Sequence, residues 1–229
     1  MLAADSLVSV AATDTTIDLD QQLMTIWQDF EQRFWQVPIV KRLDDGTFDV
    51  EDYKRLLRNL RPQVVEGARW LSRAASNMTA FELRSLFIGH SQEEHRDYQI
   101  LEKNYISVGG IAEDIVQAEK NVGSEALSAF IFYRASLPNP IDILGSIFII
   151  EGLGKRVAGR LADKIKTQLN LEASQVTFLS YHADNDDNHI EKVQRMLRAD
   201  WMTPELAKQI AKTAQFTARL YLLQLEEIQ

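Results

Sequence analysis

Two short stretches of the chain carry metal-ligating residue types at the same helical spacing. In H-A-D-N-D-D-N-H, the residues His182, Asp186 and His189 lie at positions i, i+4 and i+7. On an α-helix this spacing brings three side chains to one face over two turns. Three such ligands need further ligands on a neighbouring helix, and facing imidazoles and carboxylates are how helical bundles build a two-metal site. The motif therefore predicts a helical bundle around a metal site.

The second stretch, H-S-Q-E-E-H-R-D, repeats the geometry with His90, Glu94 and Asp97. The chain has only 4 histidines, and three of them fall in the two triads. Glu151 stands alone in the apolar sequence S-I-F-I-I-E-G-L-G, where a buried carboxylate is costly unless a cation or a donor compensates it. The predicted metal ligands are His90, Glu94, Asp97, Glu151, His182, Asp186 and His189.

Each triad also has a simpler interpretation. The second could be a solvated helix face, because Asp184, Asp187 and Asn188 beside it are polar as well. That interpretation explains the aspartates but not two histidines at i and i+7, so metal ligation is favoured. The first triad could be a charged surface turn if it stood alone, and it gains weight from the second.

The buried glutamates have alternatives too. Glu151 could pair with Arg156 in the core, but the cost of burying its charge favours a ligand. Glu66 has a similar apolar setting in V-V-E-G-A-R-W. For Glu66 the favoured role is a salt bridge, for example to Arg69 or Arg73.

Composition limits the remaining function classes. The 229 residues are 45% hydrophobic and 25% charged, which is ordinary for a soluble globular protein. The net charge of -8 argues against nucleic-acid binding, which needs a basic face. The absence of cysteine excludes disulfides, thiolate-ligated metals and thiol nucleophiles. The apolar run at 141–150 is too short to span a bilayer, and the N-terminus does not read as a signal peptide, so we expect a cytoplasmic protein without a membrane anchor.

No stretch shows the sustained alternation typical of a strand. We therefore predict an all-α, single-domain helical bundle of about six to eight helices over residues 18–229, preceded by a flexible tail over residues 1–17. Asp18 or Asp20 is expected to cap the first helix.

Further helix boundaries follow from local signals. Thr79-Ala-Phe-Glu82 has the pattern of a capping box, which predicts the start of a helix that carries the first triad and ends near Gly109. The P-N-P segment at 138–140 should break the chain before a long helix to about Leu169. Thr203 followed by Pro204 predicts the start of the last helix.

The order of these elements resembles the haem-oxygenase-like superfamily, and more narrowly its non-haem diiron oxidase and oxygenase branch, which includes CADD-like proteins. The resemblance rests on the H-x3-D-x2-H motif at 182–189 with Glu151 before it, and it covers most of residues 20–229. That branch usually has a glutamate and then a histidine at i and i+7 of the earlier helix. Here His90 and Asp97 hold those positions, so the acid and the imidazole are exchanged and the assignment of ligands to each metal stays open.

The resemblance implies two iron ions, or iron with manganese, and dioxygen as co-substrate in the oxidation of a small organic substrate such as an amino acid or a fatty acid. Haem is not expected, because no histidine precedes His90 to hold it on the first helix. Thiaminase-type members use a cysteine that this chain lacks. The alternative is a metal-free TenA-like or PqqC-like protein that binds a small molecule or a partner. Members of the superfamily often form dimers, so a homodimer is possible.

Overall fold

The computed structural model describes the backbone of residues 3–228, and the side chains of residues 18–184 and 190–228. Helices make up 81% of the structure, and none of the described residues is in a strand. The all-α prediction is therefore confirmed. None of the helices in the described part of the chain is both long and apolar enough to cross a membrane.

The described backbone forms more helices than expected. The α-helices are α1 (Ala3–Phe34), α2 (Pro38–Asp44), α3 (Val50–Asn77), α4 (Phe81–Glu94), α5 (Tyr98–Ser107), α6 (Ala112–Val116), α7 (Val122–Ala135), α8 (Leu144–Leu153), α9 (Gly159–Leu169), α10 (Thr177–Leu197) and α11 (Pro204–Glu226). A π-helical turn, Gly154–Ala158, joins α8 to α9 without a break. When α8 and α9 are counted as one, residues 3–228 form ten helices, so the expected six to eight was too low.

The first helix begins earlier than its predicted cap. Helix α1 starts at Ala3, so neither Asp18 nor Asp20 lies at a helix start. Residues 3–20 contain no glycine or proline, the two residues that most disfavour a helix, so nothing in this segment stops α1 from starting early. The flexible tail over residues 1–17 and the domain boundary at residue 18 stay predictions.

Two predicted caps had different outcomes. Thr203 caps α11 by accepting a hydrogen bond from the Leu206 backbone N–H, as its sequence signal predicted. The capping box at Thr79 was wrong, because α4 begins at Phe81 with no side-chain cap. The Thr79 hydroxyl instead donates to Asn139 Oδ1 at 3.1 Å and ties the start of α4 to the P-N-P segment.

The helix expected to run through the first triad is divided in two. Helix α4 ends at Glu94, and α5 begins at Tyr98 after a short turn. Asp97 nevertheless keeps a helical backbone conformation, with φ of −64° and ψ of −26°. Asp97 remains within reach of Glu94, since one ligand atom of each lies within 4.8 Å of the other.

The break at 138–140 and the long helix after it are confirmed. Asn139 has a left-handed φ of 50°, and the helix that follows ends at Leu169, where Asn170 has a left-handed φ of 51°. The π-helical turn inside this helix was not predicted. It packs against α10 and so lies between the two helices that carry Glu151 and His182.

Helix α11 lies at the centre of the bundle and packs on α1, α7 and α8. Buried Asp142, just before α8, accepts hydrogen bonds at 2.7 Å from Arg134 Nε and from the Thr213 hydroxyl, which joins α7, α8 and α11. Gly145 lets α8 approach α11 very closely, because a Cβ at this position would be 2.2 Å from the Ile210 carbonyl oxygen. This contact fixes the start of α8, the helix that carries Glu151.

We expect Gly145→Ala to lower the free energy of unfolding by about 1–3 kcal/mol, because the added methyl meets rigid backbone rather than a flexible side chain. The matched control is Gly89→Ala in α4, where a Cβ would meet nothing within 4 Å. This variant should be neutral or up to about 1 kcal/mol more stable. Urea unfolding followed by circular dichroism measures both, and equal stability of the two variants would contradict the close contact between α8 and α11.

Candidate metal centre

Two carboxylates and a histidine converge between α4 and α8. His90 and Glu94 lie one turn apart at the end of α4, and buried Glu151 lies in α8. The His90 Nε2 atom is 3.1 Å from Glu151 Oε1 and 3.8 Å from Glu94 Oε1. One ligand atom of each residue lies within 4.8 Å of the other two. We call these three residues the His90 group.

A second set of donors lies beside it and shares one member. Glu94, Asp97 and His182 also bring one ligand atom each within 4.8 Å of the others, and they form the His182 group. Within this group the His182 Nε2 atom is 3.8 Å from Asp97 Oδ2. Because Glu94 belongs to both groups, its carboxylate lies between two potential cation positions. A carboxylate with two oxygens is suited to bridging them.

Small residues allow the helices to meet at this point. A Cβ on Gly152, next to Glu151, would be 2.6 Å from the Trp27 ring, so glycine lets α8 pack directly on that ring. A Cβ on Gly159 would be 3.3 Å from the Ala183 methyl, next to His182. The close packing of α8 on α1, and of the start of α9 on α10, depends on these positions.

Five of the seven predicted ligands converge, namely His90, Glu94, Asp97, Glu151 and His182. The side chains of Asp186 and His189 lie outside the described residues. In the first triad, His90 and Asp97 stand where the resembled branch has a glutamate and a histidine. In the structure these two residues belong to different donor groups. Ligation of a metal by any of these residues stays a prediction.

The environment of Glu94 disfavours a negative charge. Burial, and next the charge of Glu151, raise the pKa of the Glu94 carboxyl from 4.5 to about 7, while the imidazoles of His182 and His90 act in the opposite direction. In the metal-free protein a large share of Glu94 is therefore protonated at neutral pH. A cation that binds there would have to displace this proton.

The donors suit divalent first-row metals. Imidazole nitrogen is a ligand for iron, zinc and copper, and carboxylate oxygen is preferred by harder ions such as manganese. Such ligands lie about 2.0–2.2 Å from the ion, so two neighbouring ligands are about 3 Å apart. The 3.1 Å between His90 Nε2 and Glu151 Oε1 has this spacing. The residues present therefore fit one cation in each donor group.

Buried Glu151 and half-buried Glu66 both have partners other than the arginines that the sequence suggested. Glu151 lies against His90, while the Arg156 guanidinium stacks over the Trp27 ring at 5.1 Å. Glu66 forms a salt bridge as expected, but with Lys120 at 2.6 Å rather than with Arg69 or Arg73. Lys120 is 54 residues away in the chain. No local pattern identifies so distant a partner.

An apolar cavity of about 150 Å³ adjoins both donor groups. Glu94, Glu151 and His182 form part of its wall, and most of the remaining lining is aliphatic or aromatic side chains from α3, α8, α10 and the π-helical turn. A cavity of this size in another protein holds a molecule as large as benzene. The candidate metal centre therefore opens onto space for a small, mainly apolar molecule.

Helix α3 contributes polar features to this cavity that sequence reasoning missed. Gln63 lines it with a buried Nε2 atom that donates to no group among the described residues. An unsatisfied buried donor costs about 1–3 kcal/mol. Gly67, one turn further along, lines it too, and a Cβ there would meet nothing within 4 Å. A glycine inside V-V-E-G-A-R-W was the available signal, because glycine in a helix interior needs a reason.

Comparisons with known proteins agree with the fold. A family model described as iron-containing redox enzyme matches residues 54–222. No curated protein matches the chain significantly. The matched segment includes His90, Glu94, Asp97, Glu151 and His182.

Solved structures extend the likeness to nearly the whole chain. A domain of unknown function with a haem-oxygenase-like fold from Shewanella denitrificans OS217 superposes with a TM-score of 0.83 at 19% identity, covering 93% of this chain and 90% of that one. A TenA homologue from Pseudomonas syringae pv. tomato DC3000 gives a TM-score of 0.75 at 14% identity, covering 92% of each chain. A TenA homologue from P. horikoshii OT3 gives 0.73 at 17% identity, covering 93% and 96%. At these identities the likeness establishes the haem-oxygenase-like fold.

In the metal-free protein, we expect Glu94→Gln to stabilise the fold at pH 8 relative to the unsubstituted protein, and to do so less at pH 5. The folded-state pKa of Glu94, about 7, lies above its ordinary 4.5. The stability that Glu94 contributes is therefore complete below pH 4.5 and is lost as the pH rises through about 7. Because glutamine has no proton to lose, the difference between variant and parent should change by on the order of 2 kcal/mol between these pH values.

Urea unfolding in the presence of a chelator measures this difference. The matched control is Glu93→Gln, whose exposed side chain accepts a hydrogen bond from Lys192 at 3.0 Å. The control should show no comparable pH dependence. A Glu94→Gln effect of the same size at pH 5 and pH 8 would contradict the raised pKa.

We expect Gly67→Ala to raise the free energy of unfolding by about 0.5–1 kcal/mol, because alanine is the better helix former and its methyl enters open space. Thermal unfolding of the metal-free protein measures the effect. A destabilised variant would show that Gly67 is required for packing and that the cavity does not extend to this position.

Proposed function

We propose, since the chain belongs to the family of iron-containing redox enzymes, that it is a non-haem dimetal oxidase or oxygenase that uses two iron ions to oxidise a small organic substrate with dioxygen. One observation carries the proposal: two donor groups share Glu94 at the wall of an apolar cavity. When bound, two irons supply the redox chemistry that amino-acid side chains lack.

Each cation would be bound by a different set of residues. His90 and Glu151 would hold one, Asp97 and His182 the other, and the Glu94 carboxylate would bridge them. Each cation thus receives one imidazole and one carboxylate, together with its share of Glu94. A carboxylic acid must lose its proton to act as a ligand, whereas a neutral imidazole binds through its free ring nitrogen, so metal binding should release the proton from the protonated share of Glu94.

The cavity sets what can reach the site. Its wall brings aliphatic and aromatic side chains next to Glu94, Glu151 and His182, which favours an apolar molecule over water at that side of the site. A volume of about 150 Å³ accommodates a molecule of about the size of benzene. A short or single-ring substrate therefore fits within the cavity.

Metal content tests the assignment directly. Protein reconstituted anaerobically with ferrous iron and then desalted should hold close to two irons per chain by elemental analysis. We expect His90→Ala and His182→Ala each to lose at least one iron, because each removes the only imidazole from one donor group among the described residues. His95→Ala is the matched control, since His95 is exposed and its ring contacts the Gln92 carbonyl oxygen.

Two outcomes would sink the proposal. Full iron content in both His90→Ala and His182→Ala would show that these residues are not ligands. A parent protein that retains no iron and consumes no dioxygen in the presence of a reductant would instead favour a metal-free protein that binds a small molecule, the alternative that the TenA homologues among the structural neighbours keep open.

A further inference from the structure

Besides the donor groups, the cavity wall carries polar side chains from α3 and α7. Gln63 and Glu66 come from α3 and Ser128 from α7, and none of them belongs to the His90 group or the His182 group. Gln63 and Glu66 are three residues apart, so successive turns of α3 present them on neighbouring positions. The rest of the wall near them is mainly apolar.

Glu66 is held in place and electrically balanced. Its Oε1 atom accepts from Lys120 Nζ at 2.6 Å, and its Oε2 atom accepts from the Ser128 hydroxyl at 2.5 Å. Lys120 also donates to the Ser128 oxygen at 2.9 Å. An ionised carboxylate has about four acceptor positions, so these two bonds leave acceptor capacity unused. Glu66 therefore faces the cavity as a fixed acceptor whose charge Lys120 already offsets.

Gln63 supplies hydrogen-bond donors to the same part of the cavity. Its buried Nε2 atom carries two N–H donors and makes no hydrogen bond to any described group. Groups of this kind are normally satisfied in native proteins, and an exception calls for an explanation such as a bound molecule. An acceptor on a molecule in the cavity would satisfy it.

Gly67 leaves space in the cavity beside Gln63. It follows Gln63 by four residues, on the same face of α3, and its missing side chain leaves open space on the cavity wall. No close helix contact of the kind seen at Gly145 requires glycine here. A glycine at position 67 is better explained by a bound molecule that needs the space of a side chain.

We propose that Gln63, Glu66 and Ser128 form a subsite that holds an uncharged head group, able both to donate and to accept a hydrogen bond, on a small apolar substrate. A hydroxyl or a primary amide fits: it donates to Glu66 and accepts from Gln63. An ammonium group fits less well, because Lys120 already neutralises Glu66 and a second cation would bring an unbalanced charge into an apolar cavity. The identification of the bound molecule as a substrate rests on the proposed function. The prediction that such a molecule binds in the cavity does not depend on it.

Isothermal titration calorimetry on the full-length protein tests the subsite, both as purified and after metal removal. Benzyl alcohol and toluene are the probes, since they share a ring that fits the cavity and differ by one hydroxyl. The measured quantity is the ratio of the toluene Kd to the benzyl alcohol Kd. We expect Gln63→Met to lower this ratio about tenfold, equivalent to about 1.4 kcal/mol, with toluene binding preserved.

A matched control lies one turn away. Asn59 also has a buried polar atom without a partner among the described residues, its Oδ1, but it does not line the cavity. Asn59→Leu should therefore leave the ratio unchanged. Gly67→Leu should abolish binding of both probes by filling the cavity, while its circular dichroism spectrum remains that of the parent.

Three results would overturn the subsite: an unchanged ratio in Gln63→Met, benzylammonium that binds more tightly than benzyl alcohol, or both probes binding Gly67→Leu as they bind the parent. These results are distinct from failure of the metal assignment. Probe binding is measured after metal removal as well as on the purified protein. A protein that holds no iron but discriminates the probes therefore keeps the subsite, and a protein that holds two irons without discriminating them loses only the subsite.

Discussion

The arrangement of the bundle depends on the approach of three carboxylates, Glu94, Asp97 and Glu151, in a largely buried site. Glu94 lies in both donor groups, and burial together with the charge of Glu151 raises its pKa to about 7. Three such groups cannot all be ionised at little cost unless positive charge lies among them. Protons and two imidazoles compensate part of this cost in the metal-free protein, and two divalent cations would compensate it fully. A cluster of three carboxylates with little solvent access thus coincides with the place where cations fit.

Helix packing is adapted to this contact. Gly145 brings α8 against the α11 backbone, and Gly152 brings it against the Trp27 ring, so the position of Glu151 is fixed from two sides. The π-helical turn Gly154–Ala158 follows directly and packs on α10, which carries His182. Single π-turns inside helices occur frequently at functional sites, because the extra residue shifts the side chains that follow it. Here the turn follows the helix segment that carries Glu151 and precedes α9, whose Leu161 also lines the cavity.

The local parts of this architecture were predictable from sequence. Spacing brought together His90, Glu94 and Asp97 of the first triad, because residues at i and i+4 share a face and the turn at 95–97 keeps Asp97 in a helical conformation. Of the second triad only His182 is described, and the side chains of Asp186 and His189 stay untested. Spacing also missed the break between α4 and α5, and it misjudged Thr79, whose hydroxyl binds Asn139 instead of capping α4. The misjudged cap has a physical cause that local patterns do not contain, because Thr79 and Asn139 are 60 residues apart in the chain. The pairing of Glu66 with Lys120 is of the same kind, as is the convergence of α4, α8 and α10 on one cavity.

The candidate metal ligands and the polar side chains of the cavity lie on different helices. The donor groups come from α4, the turn after it, α8 and α10, while Gln63, Glu66 and Gly67 come from α3. Gln63 is expected to lower stability through its unsatisfied donor, and Gly67 through its poor helix propensity. Both residues line the same cavity. Selection for stability alone would remove either defect with a single substitution, since nothing in the described packing requires them. Two independent defects on one cavity face are expected where function sets the residue, because functional sites are where natural proteins depart from locally optimal choices. A substrate held by α3 at its polar end would leave its apolar body free to lie against the metal donors of the other helices.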